Sequence, residues 1–442
     1  MAAKTFRGGV HPPEHKEATS SSAIETIPPP QRVVVPLVQH IGAPCEPTIV
    51  DETTLSKGDR VDLGQQIGDS EAFVTAPVHA SVSGEIAQIT TARLSDGRNV
   101  KAIVIDSDGE DRISEGVTPA SSLENLSPEE IKNVIREAGI VGMGGAAFPS
   151  HVKYSPPEGV VLDTIIINGC ECEPFLTCDD RLMIEEAEEI VFGLEAIIKS
   201  TGAKRGVIGI ENNKPQAIES MRSAVEGTDF EVEVVKTKYP EGAERQLIRV
   251  ITGREVPSGK LPLDIGVVVN NVATAAAIAR AIKTGMPSIE RVVTVAGDVV
   301  ERPANLRVRI GTPIRELFEY CGGFTEAPSV LIAGGPMMGH AIADLDMPVV
   351  KSTCGILALS SSVVSYEEEE PCIRCGRCLD VCPVYMMPLM AAQYPDEKAL
   401  EYNPLDCIEC GACSYICPAN QRLLERIRMA KQQAQAIMCS DS

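Results

Sequence analysis

The sequence predicts a multidomain α/β chain: a β-rich unit, an α/β core, a second β-rich unit and a helical C-terminal end built on metal. Three observations carry this. Short β-type runs between Arg32 and Asp106 are separated by Gly, Asp and Pro. Helical and strand patterns alternate from Ser127 to Ile282. Two four-cysteine runs of identical spacing lie near the C-terminus.

At 442 residues there is room for roughly two to four domains. Hydrophobic residues make up 44% and charged residues 23%, the balance of an ordinary globular protein. Tryptophan is absent, so the cores must be built from aliphatic side chains and Met. A formal charge of −22 argues against a nucleic-acid binder, which needs a basic face for phosphates. It also argues against direct adhesion to anionic lipid, so membrane association would run through a protein partner. The apolar stretch Ile265–Ile282 contains Asn270, Asn271 and Arg280 and is no membrane span. Lys4 and Arg7 are followed by no apolar signal segment, and a cytoplasmic location is expected. Fifteen cysteines grouped at short regular intervals then point to metal rather than disulfides.

Taken in order, the polar, Pro-rich residues 1–30 read as an extended arm. The runs Arg32–Val35, Val61–Leu63, Ser81–Glu85 and Val100–Ile105 predict a small β domain. A Ser-, Asp- and Glu-rich linker reaches Leu126. Ser127-Pro128-Glu129-Glu130 then opens a helix, with Ser127 as cap and Glu130 completing a capping box. Strands are expected at Leu162–Asn168, Lys204–Ile210, Phe230–Lys236 and Gly266–Val269, and helices at Arg181–Ser200 and Ala273–Ile282. Residues 291–345 return to β runs, as in Arg291–Gly297 and Leu306–Ile310. Ser360–Pro371 is a polar hinge.

Cys372, Cys375, Cys378 and Cys382, followed by Pro383, fit C-x2-C-x2-C-x3-C-P, and Cys407, Cys410, Cys413 and Cys417, followed by Pro418, repeat it. Three thiolates on one tight loop reach three corners of a cube while the fourth points away. In two-cluster ferredoxins that fourth cysteine ligates the other cluster. The expected sets for two [4Fe–4S] clusters are therefore Cys372, Cys375, Cys378 with Cys417, and Cys407, Cys410, Cys413 with Cys382. Zinc also uses C-x2-C pairs, but the doubled order with both prolines favours iron–sulfur. Cys45, Cys321, Cys354 and Cys439 are isolated, and Cys170, Cys172 and Cys178 match no common ligand spacing, so all seven read as packing thiols.

The run Gly139–Pro149 contains G-x-G-x-x-A, which a dinucleotide fold would place between a strand and a helix. Here a helix precedes it and Pro149 follows. The loop is either a tight turn or a place where backbone N–H groups approach a phosphate or planar ring, with Lys153 a few residues on.

Residues Gly142–Lys153 resemble the flavin-site loop of the NADH-oxidising subunit of respiratory complex I. In the same order, Asn168-Gly169-Cys170-Glu171-Cys172-Glu173-Pro174 with Asp180-Arg181-Leu182-Met183 resembles its N-x-x-E-x-E-P…D-R-x-L-M stretch. Tyr239-Pro240-Glu241-Gly242-Ala243-Glu244 and Asn270-Asn271-Val272-Ala273-Thr274 resemble its Y-x-x-G-x-E and N-N-V-x-T segments. Almost end to end, the chain is similar to one branch of that superfamily, the RnfC family of Rnf ferredoxin:NAD+ oxidoreductase complexes. Phe6–Pro13, Gln39–Pro44 and Gly334-Gly335-Pro336-Met337-Met338-Gly339 belong to the match. Cys170 and Cys172 replace small residues of the complex I subunit, Ala243 replaces an acid, and the double cysteine motif replaces a single-cluster pattern.

The resemblance implies roles. Gly142, Gly144, Gly145 and Lys153 hold the FMN phosphate and let the isoalloxazine reach backbone. Asn168 and Glu171 bond the flavin or ribityl chain, and Asn270, Asn271 and Thr274 close round the phosphate end. Phe148 stacks on nicotinamide or adenine, and Glu173 and Glu244 bind NADH ribose hydroxyls. The bland alternatives are a strand-end turn for Asn270-Asn271 and solvated charges for Glu171 and Glu173. The expected fold is an arm over 1–30, a biotinyl-like barrel-sandwich β domain over 31–110, and a complex I flavoprotein-like FMN/NADH-binding α/β domain over 120–285. An SLBB-like β-grasp domain over 286–350 and an α-helical two-cluster ferredoxin domain over 360–442 follow. The hammerhead-like tip Ala76-Pro77-Val78-His79-Ala80 carries His79 and no lysine, so a swinging arm is not expected.

The implied function is a peripheral subunit at the cytoplasmic face of the cell membrane, without a span of its own. It exchanges hydride between NADH and FMN and passes single electrons through two clusters toward ferredoxin. Its partners are the membrane and iron–sulfur subunits of an Rnf-type complex, which couple the flow to Na+ or H+ translocation. Two alternatives stay open: a cobalamin reductase like PduS, and a non-enzymatic iron–sulfur relay.

Overall fold

Residues 3–50, 53–120, 122–364, 367–394 and 397–440 are described by the computed structural model. The first β unit forms where β-branched alternation allows one buried face per strand. Arg32–Pro36, Asn99–Ser107, Gly84–Arg93 and Arg60–Val61 make one antiparallel sheet, and Glu46–Pro47, Gln66–Asp69 and Val78–His79 make another. Val33, Val35, Leu37, Ile67, Val78, Ile86, Ile103 and Ile105 fill the space between them.

The central unit opens on the expected capping box: Ser127 Oγ accepts from Glu130 N–H, and the Glu130 carboxylate accepts from Ser127 N–H. Its sheet has four parallel strands in the order Glu231–Val235, Arg205–Glu211, Thr164–Gly169, Val267–Asn271. The helical stretch expected over Arg181–Ser200 is two helices, Cys178–Glu185 and Ala187–Thr201. Glu186 leaves helical geometry between them, and its carboxylate is held by Arg307 and Arg280 from outside the stretch. Gly193 lets the second helix lie against Val272–Thr284, since a Cβ there would stand 2.1 Å from the Ala275 carbonyl.

In the second β unit the order is Glu25–Thr26, Ala304–Arg309, Glu290–Ala296, Gly355–Leu359, Val330–Ala333, His340–Ile342, with the helix Ile314–Tyr320 packed on it. An inner strand of this sheet, Gly355–Leu359, lies beyond residue 350 and is approached through polar Lys351-Ser352-Thr353, which concealed it in the sequence.

The arm threads the whole molecule. Lys4 bridges to Val235, Val10 to Tyr239, and Glu25–Thr26 adds a parallel edge strand beside Leu306 and Arg307. Gly9 N–H donates to the Val381 carbonyl at 2.8 Å. The C-terminal unit consists of helices, Arg377–Val381, Pro388–Gln393, Ala412–Tyr415 and Leu423–Ser440 among them, with no strand in the described residues. No helix among the described residues is long and apolar enough to cross a membrane. Cys45, Cys170, Cys178 and Cys321 are buried, Cys172 and Cys354 half-buried, and the Cys439 side chain lies outside the described residues.

Candidate flavin and iron–sulfur sites

Parallel sheets bind ligands beyond the carboxyl ends of their strands, where the strand order reverses. Here the reversal falls between Thr164–Gly169 and Val267–Asn271, whose register pairs Ile167 with Asn270 and Asn168 with Asn271. The asparagines end these two strands side by side. Asn271 caps the following helix, its Oδ1 accepting from Ala273 N–H at 2.9 Å, while its Nδ2 donates to Asp179 Oδ2 at 2.6 Å. Asn270 Oδ1 accepts from the Tyr154 hydroxyl at 2.8 Å, and its Nδ2, though buried, has no partner.

The glycine loop folds back over this edge. Gly142 N–H donates to the Phe148 carbonyl at 2.9 Å, and Met143 N–H to Thr274 Oγ1 at 2.9 Å. Gly144 lies against Asn271, where a Cβ would come within 2.9 Å, and Gly145 faces open space. Lys153 Nζ donates to the Val269 carbonyl at 3.0 Å and stands 3.6 Å from Glu244 Oε1. The loop, Lys153, Asn270, Asn271, Thr274 and Glu244 thus converge on one edge. An unpartnered buried amide, a helix N-terminus, a lysine and an open glycine backbone form a donor set that fits a phosphate-bearing flavin.

Asn168 Nδ2 donates to the Gly242 carbonyl at 2.8 Å, tying the first strand to the Tyr239–Glu244 segment. Glu171 turns to the helix Cys178–Glu185, accepting from Asp179 N–H at 2.7 Å and Asp180 N–H at 3.2 Å. Burial and the Glu171 charge push both Asp179 and Asp180 up to about 6. Lys16 of the arm is the buried counter-cation, 3.9 Å from Glu171 and donating to its carbonyl at 2.8 Å. Glu173 points elsewhere, accepting from Met337 N–H at 3.0 Å and Met338 N–H at 2.9 Å in the Gly334–Gly339 loop. Burial raises its carboxyl to about 7. Neither acid is a solvated charge. The side chain of Phe148 is half-buried.

The two cysteine runs repeat one backbone pattern. Arg374 and Glu409 have φ of 57° and 58°, Gly376 and Gly411 79° and 73°, and Tyr385 and Asn420 57° and 49°. The left-handed turns aim backbone N–H groups at sulfur: Arg374 N–H lies 3.4 Å from Cys372 Sγ, and Glu409 N–H 3.4 Å from Cys407 Sγ. Cys382, Cys407, Cys410 and Cys413 line one apolar cavity with Met386, Leu424 and Ile427. Burial pushes Cys410 and Cys413 up to about 12 as free thiols, a cost that binding to iron removes. Cys372, Cys375, Cys378 and Cys417 lie nearer the surface, with Cys375 exposed. An all-sulfur donor set with N–H···S contacts fits an iron–sulfur cluster.

The cavity end touches the flavin-side segment. The Tyr239 hydroxyl donates to the Cys410 carbonyl at 2.7 Å, and Gln246 Nε2 to the Pro383 carbonyl at 3.1 Å. Sequence reasoning gave no role to Lys16, Tyr154, Asp179, Gln246 or Lys351, and Tyr239 stood out only as a motif letter. Tyr154 had a signal in its position beside Lys153; the others depend on contacts far along the chain.

Family models match in the same order: the RnfC barrel sandwich hybrid domain over 4–110, the Nuo51 FMN-binding domain over 135–280, the SLBB domain over 292–341 and a 4Fe–4S dicluster domain over 371–421. The C subunit of a proton-translocating ferredoxin:NAD(+) oxidoreductase complex from Clostridium ljungdahlii is 47% identical, over 98% of this chain and 94% of its own. Its counterpart in the Na(+)-translocating complex from Acetobacterium woodii is 46% identical over 97% of both. The corresponding chain of an ion-translocating oxidoreductase complex from Rhodobacter capsulatus is 47% identical over 87% of this chain and 73% of its own. Among solved structures, a NAD+-reducing [NiFe]-hydrogenase chain shares the fold, with a TM-score of 0.51 at 17% identity over 72% of this chain and 65% of that one. With close relatives along nearly its full length and all four domains in order, the chain belongs to the RnfC family, the C subunits of ion-translocating ferredoxin:NAD(+) oxidoreductase complexes.

Proposed function

We propose that this chain is the peripheral subunit, at the cytoplasmic face of the membrane, through which such a complex exchanges electrons with NADH. The electrons pass singly through two [4Fe–4S] clusters toward ferredoxin, and partner membrane and iron–sulfur subunits couple the flow to Na+ or H+ translocation. FMN held there would supply the exchange between a hydride's electron pair and single electrons that one-electron clusters cannot perform alone.

The observation that carries this reading is that the Tyr239–Glu244 segment, tied to the strand end by Asn168 and Gly242, also reaches the cluster cavity through Tyr239 and Cys410. Gly142, Gly144, Gly145, Lys153, Asn270, Asn271 and Thr274 hold the FMN phosphate in this reading, with Asn168 and Glu171 on the flavin side. Phe148 and Glu244 would contact NADH in this reading, whereas the Glu173 carboxylate is taken up by the Met337 and Met338 amides. Cys407, Cys410, Cys413 and Cys382, which abut the Tyr239–Glu244 segment, would hold the cluster that takes electrons first. Cys372, Cys375, Cys378 and Cys417 hold the outer cluster, whose exposed Cys375 suits hand-over to the next protein. Near-full-length identity to C subunits weighs against the cobalamin-reductase alternative.

Anaerobic stopped-flow mixing of NADH with FMN-reconstituted protein tests the reading. Flavin bleaching followed by cluster reduction is expected. Stoichiometric flavin that never responds to NADH overturns the NADH role, and failure to bind flavin leaves only a relay.

A further inference from the structure

Tyr239 belongs to the flavin-binding unit, yet its hydroxyl is spent on the other side of the interface. It donates at 2.7 Å to the backbone carbonyl of Cys410, inside a buried apolar cluster with Val10 and Ala412, against which Cys172 and Met337 pack. Lys431 Nζ likewise donates to the Cys407 carbonyl at 2.9 Å. Two donors thus direct positive charge at the peptides of two cysteines lining the same cavity. Reducing an iron–sulfur cluster adds one negative charge, and hydrogen bonds and burial around its ligands set the potential at which that happens. In a buried setting a fixed dipole acts more strongly than in water.

We propose that Tyr239 is a positioning residue for electron entry: its hydroxyl, acting through the Cys410 carbonyl, raises the potential of the cluster held by Cys382, Cys407, Cys410 and Cys413 and makes it the acceptor facing the flavin. The inference rests on the proposed flavin-to-cluster route. It concerns one hydroxyl, and it separates the two clusters by a hydrogen bond placed at one of them.

The test is a redox titration followed by electron paramagnetic resonance on the full chain with its clusters and FMN loaded. Tyr239→Phe keeps the ring and removes the donor. It should lower one cluster midpoint, shifting that reduction equilibrium by about tenfold, or about 59 mV for a one-electron couple, and leave the other midpoint in place. Tyr239→3-fluorotyrosine strengthens the donor and should move the same midpoint upward, which keeps the inference decidable if the Phe variant fails to assemble. Unchanged midpoints in a loaded variant overturn it, as does an equal shift of both clusters, the mark of a merely structural residue. An unsubstituted chain whose flavin ignores NADH overturns the functional reading instead, and that result is read on a different protein.

Discussion

The Lys351 ammonium stands 2.7 Å from the Gly139 carbonyl and 2.7 Å from the Pro77 carbonyl, so one side chain of the β-grasp unit ties the hammerhead tip to the flavin unit. Gly139 has φ +63°, and a Cβ there would lie 2.2 Å from the Pro77 carbonyl, so only glycine fits the junction. The tip residue His79 is buried beside this lysine and held down to about 3, chiefly by burial.

Burial lowers Lys351 to about 8 from 10.5, against the raising influence of Cys45 and Asp69. Between those values the unfolded chain binds more protons than the folded one, so this group's contribution to stability rises with pH. Relative to Lys351→Met, the unsubstituted chain should gain about 3 kcal/mol across that window. Denaturant unfolding of both proteins at a series of pH values measures the difference, and a constant difference would refute the assignment.

Glu173 carries the opposite sign. Burial raises it to about 7 from 4.5, so the folded chain holds its proton more tightly and the contribution to stability falls as pH rises through that interval. Glu173→Gln should flatten this slope. Hydrogen exchange at the Met337 and Met338 amides should quicken in Glu173→Ala, since both lose their acceptor.

Asn270 presents a buried amide nitrogen without a partner at the strand switch. Asn270→Ala should weaken FMN binding by about tenfold, the value of one hydrogen bond. Tyr154→Phe, which only frees the Asn270 carbonyl oxygen, should cost less. Quenching of flavin fluorescence on titration reports both.

Cysteine substitutions should divide by depth. Cys375→Ser, at an exposed position, should lose one cluster and leave thermal unfolding little changed. Cys410→Ser, within the buried join to Tyr239, should lose the other cluster and lower the melting temperature as well. Iron content per chain and calorimetry distinguish the two results.

What was legible in the sequence was what local geometry dictates. The cysteine spacing, the Ser127 cap and the β-branched strands of the central sheet each follow from a few neighbouring residues, and the structure has those strands and that cap where the pattern put them. The run expected at Ser81–Glu85 instead belongs to a strand that starts at Gly84 and continues to Arg93. Asn270 and Asn271 were legible as a segment, but their separate tasks, an open amide and a helix cap, depend on Tyr154 and Asp179. Glu171 and Glu173 sit two residues apart and look alike in sequence. One is turned to a helix terminus and the other to a loop more than 160 residues away. The break at Glu186 and the inner strand Gly355–Leu359 escaped for the same reason: long-range partners overrode the local pattern.

The threaded arm bears on how the protein is made. Residues 4–27 leave the ribosome before the partners they pair with, Tyr239, Arg307 and Val381. Each is a contact of very high sequence separation, the slowest kind to form. Polar, Pro-rich composition keeps the waiting segment from premature collapse. A nascent chain released before Val381 would leave Gly9 without its acceptor, so the arm can close fully only on a polypeptide that already contains the first cysteine loop. Final docking of the arm is therefore a late, whole-chain event.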